Sequence, residues 1–201
     1  MNIKTIRVAL TLVALSVVAA QATIISGPVT NPSNGHSFLL LANSSWTSAE
    51  AEAISLGGHL ATVRNAAENQ WMIDTFTLFG SQNRSFWIGL NDATNEGTFT
   101  WTSGEPVTFT NWASGEPNNL GNEDYVYVIQ PTANPNYPLL VPGRWNDILD
   151  SGIEQSLPQP NGVVEIVPEP SSTALIFAAL PALMWRKSRK VCFMTTGLIT
   201  C

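Results

Sequence analysis

Cysteine is nearly absent from this sequence of 201 residues: there are two, Cys192 and Cys201, both in the last ten positions. The stretch from Thr23 to Pro170 has none, which excludes a disulfide framework there and leaves that part to rely on a hydrophobic core. Positive charge is equally scarce. Six of the nine basic residues lie near the two ends, so Arg64, Arg84 and Arg144 alone oppose all fifteen carboxylates between Thr23 and Pro170, a balance near −12. A chain without a basic face is a poor partner for nucleic acid, whereas an excess of carboxylates suits divalent cations. No glycine-rich phosphate loop, no G-x-S-x-G elbow and no repeat of solenoid length occurs. The two histidines, His36 and His59, have no partner constellation and read as turn or surface residues. No enzyme is therefore expected. A glycosidase pair such as Glu123 and Asp124 is a poor geometry, because adjacent strand residues point to opposite faces.

What is present begins with a leader. Lys4 and Arg7 precede an apolar run from Val8 to Val18 and an A-x-A site at Ala20-Gln21-Ala22, so residues 1–22 read as a secretory signal peptide. At the other end Val167-Pro168-Glu169-Pro170 precedes an apolar run from Ser171 to Trp185 and the basic cluster RKSRK. That run is about fifteen residues, shorter than the roughly 17–25 of a free-standing membrane helix, and Pro181 interrupts it. It suits a transient membrane anchor with the basic cluster left in the cytoplasm. Motif, apolar run and cluster resemble the PEP-CTERM sorting signal of bacteria. The resemblance implies processing by exosortase-type machinery and an exported protein of the cell envelope, cell surface or extracellular matrix. Residues 168–190 carry it, and the tail at 191–201 departs from it and has no assigned role.

Residues 23–167 are roughly one domain's worth of chain, with the core expected over about 34–167. FLLLA at Phe38 to Ala42 reads as a strand after a leader rich in glycine, proline and asparagine. Thr47-Ser48-Ala49-Glu50 reads as a capping box opening a helix through about Leu56, stopped by Gly57-Gly58. Asn65 with Glu68 opens a second helix that runs to about Phe79 and ends at Gly80, with Trp71, Phe76 and Phe79 as core. Short strand patterns follow: FWIGL, TFTW, YVYVI, RWNDI and GVVEIV. Helices first and strands after give an α+β domain. A proline-rich insertion, Pro131 to Gly143, interrupts the strands close to the candidate site.

The motifs WTSA, LGGHLATV, WIGL, EGTFTWTSGEPVTFTNW, GEPNN, EDYV, WND and VVEI, in this order, resemble the C-type lectin-like domain. The resemblance covers nearly all of 23–167. It implies a double-loop fold of two helices flanking small antiparallel sheets, with Trp101 and Trp112 packed under a long loop that carries calcium and sugar. It also places the family's usual cysteines at Ala53 and Val164 for one bridge, and at Tyr125 and about Asp150 for the other.

The stretch ASGEPNNLGNEDYV crowds carboxylates and amide carbonyls into one turn, and Asn146 and Asp147 add more nearby. Calcium takes six to eight hard oxygen ligands of these kinds, and the lack of His and Cys disfavours zinc. The resemblance implies a primary calcium and carbohydrate site of Glu116, Asn118, Glu123, Asn146 and Asp147, with a cis bond between Glu116 and Pro117. It implies an auxiliary calcium site of Asp92, Glu96, Asn119, Glu123 and Asp124. Glu-Pro-Asn resembles the variant that prefers equatorial 3- and 4-hydroxyls, as in mannose, glucose and N-acetylglucosamine, so a glycan or exopolysaccharide is the expected partner. The competing expectation is a calcium-stabilised structural or adhesive domain that binds a protein without sugar.

Overall fold

Strands with apolar residues at consecutive positions must be covered on both faces, and that requirement organises this molecule. The computed structural model describes residues 23–131, 141–152 and 158–168. The leader 1–22, most of the proline-rich insertion, Glu169 and Pro170 of the sorting motif, the apolar run and the tail lie outside the described residues. Among the described residues no helix is long and apolar enough to cross a membrane.

Among the described residues eight strands form one sheet: β1 (Ile24–Thr30), β2 (Ser37–Asn43), β3 (His59–Leu60), β4 (Phe86–Asn91), β5 (Thr100–Trp101), β6 (Tyr125–Val128), β7 (Trp145–Ile148) and β8 (Asn161–Ile166). The order is β1-β2-β8-β4-β6-β7, with β3 on β8 and β5 on β4. The last strand thus returns to lie between β2 and β4. It is antiparallel to β2, with Leu39 opposite Val164, and parallel to β4, with Phe86 opposite Asn161. The antiparallel β2–β8 pair brings the early and late parts of the described chain together, and the single parallel pair makes the sheet mixed, within the expected fold of two helices against a largely antiparallel sheet.

Residues that alternate along each strand enter two separate cores. Phe38 and Leu40, Phe86 and Ile88, Val126 and Val128, and Val163 pack on one face with Phe76 and Trp145. Leu39 and Leu41, Trp87, Tyr127 and Val164 pack on the other with Trp46, Ala49 and Ala53. A one-residue slip would exchange the two sets, so this patterning fixes register. Gly89 is required inside β4, because a Cβ there would lie 2.5 Å from the Leu60 carbonyl oxygen.

The first helix, α1 (Trp46–Ser55), starts earlier than its sequence suggests. Ser45 is the N-cap, accepting from the Ser48 amide at 3.2 Å. Thr47 is not free to cap, since its amide and hydroxyl donate to the Asp150 carboxylate at 2.8 and 2.9 Å. Glu50 is drawn away to the Leu60 amide and to His59. The second helix, α2 (Ala66–Met72), has the expected cap: Asn65 accepts from the Glu68 amide at 2.9 Å. It runs on as a π turn (Ile73–Thr77) and, past Leu78, a 3-10 turn (Phe79–Ser81) whose helical backbone Gly80 breaks at a φ of 64°. Phe76 is buried, whereas Phe79 is exposed rather than core.

Two further expectations change. The leader rich in glycine and proline is β1, a sheet edge paired with β2. Neither histidine is without a partner: His36 Nδ1 lies 2.5 Å from Glu165, and His59 Nδ1 lies 2.6 Å from Glu50. Ala53 and Val164, where the resemblance places one disulfide, are both fully buried in the same cluster. At the other pair of positions, Tyr125 packs on Trp46 with ring centroids 4.6 Å apart, and Asp150 holds Thr47. These contacts clamp the start of α1 to the strands without a covalent bridge.

Candidate functional site

The long segment between β4 and β6 is held from below by aromatic rings. Trp145 of β7 meets Trp101, Phe109 and Trp112 edge to face, with centroids 5.6 to 6.0 Å apart, and Phe99 meets Trp112 at 4.9 Å. Edge-to-face packing fixes orientation as well as burying area. Trp145 also donates its indole N–H to Asn69 Oδ1 at 2.8 Å, which locks β7 to α2.

On this base the segment turns at Glu116-Pro117, a cis peptide bond. Asp147 extends from β7, 1% exposed, and its carboxylate accepts the Asn118 amide at 3.3 Å and the Asn119 amide at 3.1 Å. Asn118 Oδ1 and Glu123 Oε2 both accept the Leu120 amide, at 2.8 and 3.0 Å, and Asn119 Oδ1 accepts the Glu123 amide at 2.8 Å. Glu116, Asn118, Asn119, Glu123, Asn146 and Asp147 are thus one neighbourhood.

Its carboxylates are crowded and desolvated. Glu116 Oε2 and Asn146 Oδ1 are buried with no donor. Burial, followed by the adjacent Asp147 carboxylate, pushes Glu116 up to about 7. Burial also pushes Glu123 up to about 7, with Asp147 and Glu116 adding to it against the Leu120 amide. The ion pairs among the described residues lie elsewhere and use none of these carboxylates.

A second group is smaller. Asp92 is buried, with Oδ2 accepting the Gly97 amide at 2.9 Å and Oδ1 without a donor. Glu96 is raised by desolvation and then by Asp92, and Asp124 is raised by burial and then by Asp92. Asp92, Glu96 and Asp124 are therefore neighbours, while Asn119 and Glu123 are hydrogen-bonded to the first group. Glu123 and Asp124 separate into different groups, as adjacent residues on opposite faces do.

The donor set fits calcium in kind: carboxylate and amide oxygens, some buried and without hydrogen-bond donors. Among the described residues no group of three or more His, Cys, Asp or Glu side chains is gathered tightly enough to hold a metal ion by itself. Three of the six residues in the first group, Asn118, Asn119 and Asn146, are asparagines, which offer neutral amide oxygens beside the carboxylates.

What the motifs did not announce is Asn111. Its side chain donates to the Gly143 carbonyl at 2.9 Å and accepts from Arg144 at 2.6 Å. Its place directly before Trp112 in TFTNW was the only available sign.

The sequence matches the family described as the Lectin C-type domain over residues 42–149. An alpha-N-acetylgalactosamine-specific lectin of Patiria pectinifera is 40% identical over 92 residues, 45% of this chain and 51% of that protein. A mannose-binding protein of Gallus gallus is 40% identical over 92 residues, 46% of this chain and 30% of that protein. The matched stretch spans about half or less of these two relatives. The crystal structure of the C-type lectin CEL-I from Cucumaria echinata has a TM-score of 0.54 at 30% identity, over 67% of this chain and 91% of that one.

Proposed function

Because this chain belongs to the C-type lectin domain family, we propose that it is a calcium-dependent carbohydrate-binding protein whose site is Glu116, Asn118, Glu123, Asn146 and Asp147. The observation that carries the reading is the pair of buried, donorless oxygens, Glu116 Oε2 and Asn146 Oδ1, set among carboxylates that no basic side chain neutralises. A bound calcium ion supplies the missing positive charge and leaves coordination positions for two vicinal sugar hydroxyls. The carboxylates accept hydrogen bonds and the asparagine amides donate them, so each hydroxyl meets one acceptor and one donor. Asp92, Glu96 and Asp124, with Asn119 and Glu123 nearby, are the auxiliary calcium set that stiffens the base of the loop.

The sugar class rests on the loop rather than on overall likeness. A lectin named for N-acetylgalactosamine and one named for mannose are equally identical to this chain. Glu116-Pro117-Asn118 supports the class with equatorial 3- and 4-hydroxyls: mannose, glucose and N-acetylglucosamine. The relatives are binding proteins, and a binding rather than catalytic role follows for this chain. Export to a bacterial envelope or matrix, with exosortase processing at Val167 to Pro170, rests on the end motifs.

The test is titration of residues 23–167 with calcium and then with monosaccharides. Mannose binding that requires calcium and is abolished by chelator supports the reading. Calcium binding and thermal stabilisation without affinity for any sugar would replace it with the adhesive domain.

A further inference from the structure

Between Glu116 and Asp147 the site depends on how the loop segment is registered against β7. That contact is a short parallel bridge, Trp112 on Trp145, with two backbone hydrogen bonds: the Trp145 amide to the Asn111 carbonyl at 2.9 Å and the Ala113 amide to the Trp145 carbonyl at 2.8 Å. Two bonds define a register weakly, and a one-residue slip would turn every side chain to the other face. The Asn111 side chain adds two constraints of opposite kind, a donor to the Gly143 carbonyl and an acceptor for Arg144. Gly143 and Arg144 are themselves fixed to the sheet, since the Gly143 amide donates to Ile129 and the Ile129 amide donates to Arg144. From Ala113 the chain is carried into the site by the Glu116 amide, which donates to the Ala113 carbonyl at 3.2 Å.

We propose that Asn111 is a positioning residue for the calcium and sugar site: its amide fixes the register that sets Glu116 and Asn118 opposite Asn146 and Asp147. It touches neither ion nor sugar in this scheme. No residue of the same size replaces it, because aspartate keeps the acceptor for Arg144 and loses the donor for Gly143. Arg144, exposed on the rim of β7, is its electrostatic partner.

The inference rests on the calcium reading above, and the experiment separates the two. The calcium dissociation constant of the full chain is measured by titration at a temperature where every variant is folded, so global stability alone does not move it. Asn111→Asp is expected to weaken calcium about tenfold, the scale seen when a group that orients metal ligands is lost. Arg144→Met, an exposed substitution that leaves the donor to Gly143 intact, is expected to weaken it about threefold, below that scale. In calcium-free protein, hydrogen exchange at the Asn118 and Asn119 amides should quicken in Asn111→Asp, with the amides of β4 unchanged. Wild-type calcium affinity in both variants overturns the positioning role. If Asn111→Asp does not fold, Arg144→Met decides alone. Absence of calcium binding by the wild type would instead overturn the functional reading, leaving exchange at Asn118 and Asn119 to report on the register.

Discussion

Asp147 accepts the backbone amide of Asn119 at 3.1 Å across 28 residues of sequence, and its other oxygen takes the Asn118 amide. One buried carboxylate thereby ties the strand half of the site to the loop half before any ion is considered. The same oxygens are those the calcium reading requires as ligands, so this residue has two separable jobs.

Substitutions at Asp147 and Glu116 should therefore differ. Asp147→Ala is expected to reduce calcium affinity at least about a hundredfold, since it loses a ligand and also the loop anchor. It should lower thermal stability in chelator as well. Glu116→Gln should lose calcium and sugar binding together, yet gain about 1 kcal/mol in chelator, because it removes a desolvated carboxylate beside Asp147. Calorimetry with and without chelator checks both. Retention of wild-type sugar affinity in calcium by either variant would show that the site is misassigned.

Stability of the calcium-free protein should fall as pH rises. Glu116 and Glu123 are both pushed up to about 7, above the ordinary glutamate value near 4.5. The folded state thus holds more protons than the unfolded state between about pH 4.5 and 7, and proton linkage makes their contribution favour folding at the acid end and lose it toward pH 7. Melting curves in chelator should show this decline from pH 5 to pH 8. Calcium needs both groups deprotonated, so in its presence the trend should be removed or reversed and calcium affinity should drop below pH 7.

The parts of this fold that were legible in the sequence are those decided locally. Asn65 caps its helix, Gly80 breaks the helical backbone beyond it, and WIGL and YVYV are strands whose apolar residues are buried, with WNDI paired beside YVYV. What escaped was decided by distant partners. Thr47 looks like a cap until Asp150, 103 residues away, takes its amide. His36 looks like a turn residue until Glu165 arrives from 129 residues away. The segment that became β1 contains Gly27 and Pro28, which read as loop, and it pairs because β2 offers an edge. In the candidate site, the crowding of carboxylates and amides was legible from composition, whereas the hydrogen bonds of Asn111 to Gly143 and Arg144 depend on a register no single-sequence pattern carries.

The missing disulfide can be reinstated as a test of packing. Ala53 and Val164 are both fully buried, on α1 and β8, in one cluster. Ala53→Cys with Val164→Cys should oxidise spontaneously and stabilise the protein by about 2–4 kcal/mol, the usual worth of a bridge closing a long loop. Thiol titration and denaturant unfolding, with and without reductant, measure it. Measured on residues 23–167, which have no cysteine of their own, two free thiols after oxidation would show that the α1 to β8 spacing does not suit a bridge.

Arg64 joins three carboxylates from separate parts of the chain, Glu68, Glu105 and Glu165, and its removal should be strongly destabilising. Its guanidinium donates to Glu68 at 3.0 Å, to Glu165 at 2.8 Å and to both oxygens of Glu105, and its side chain is 24% exposed. Glu68 and Glu165 are 3% and 4% exposed. Burial raises Glu68 above the ordinary range even with Arg64 beside it. Arg64→Met leaves buried carboxylates without their cation, a change that typically costs about 3–5 kcal/mol. Exposure of Glu105 and the nearby His36 moderate this, so about 3 kcal/mol is expected by urea unfolding at pH 7. The deficit should shrink as pH falls toward 4.5, because protonation of the orphaned carboxylates removes the buried charge that the variant cannot neutralise. A deficit independent of pH would mean that Arg64 contributes packing of its aliphatic stem rather than charge.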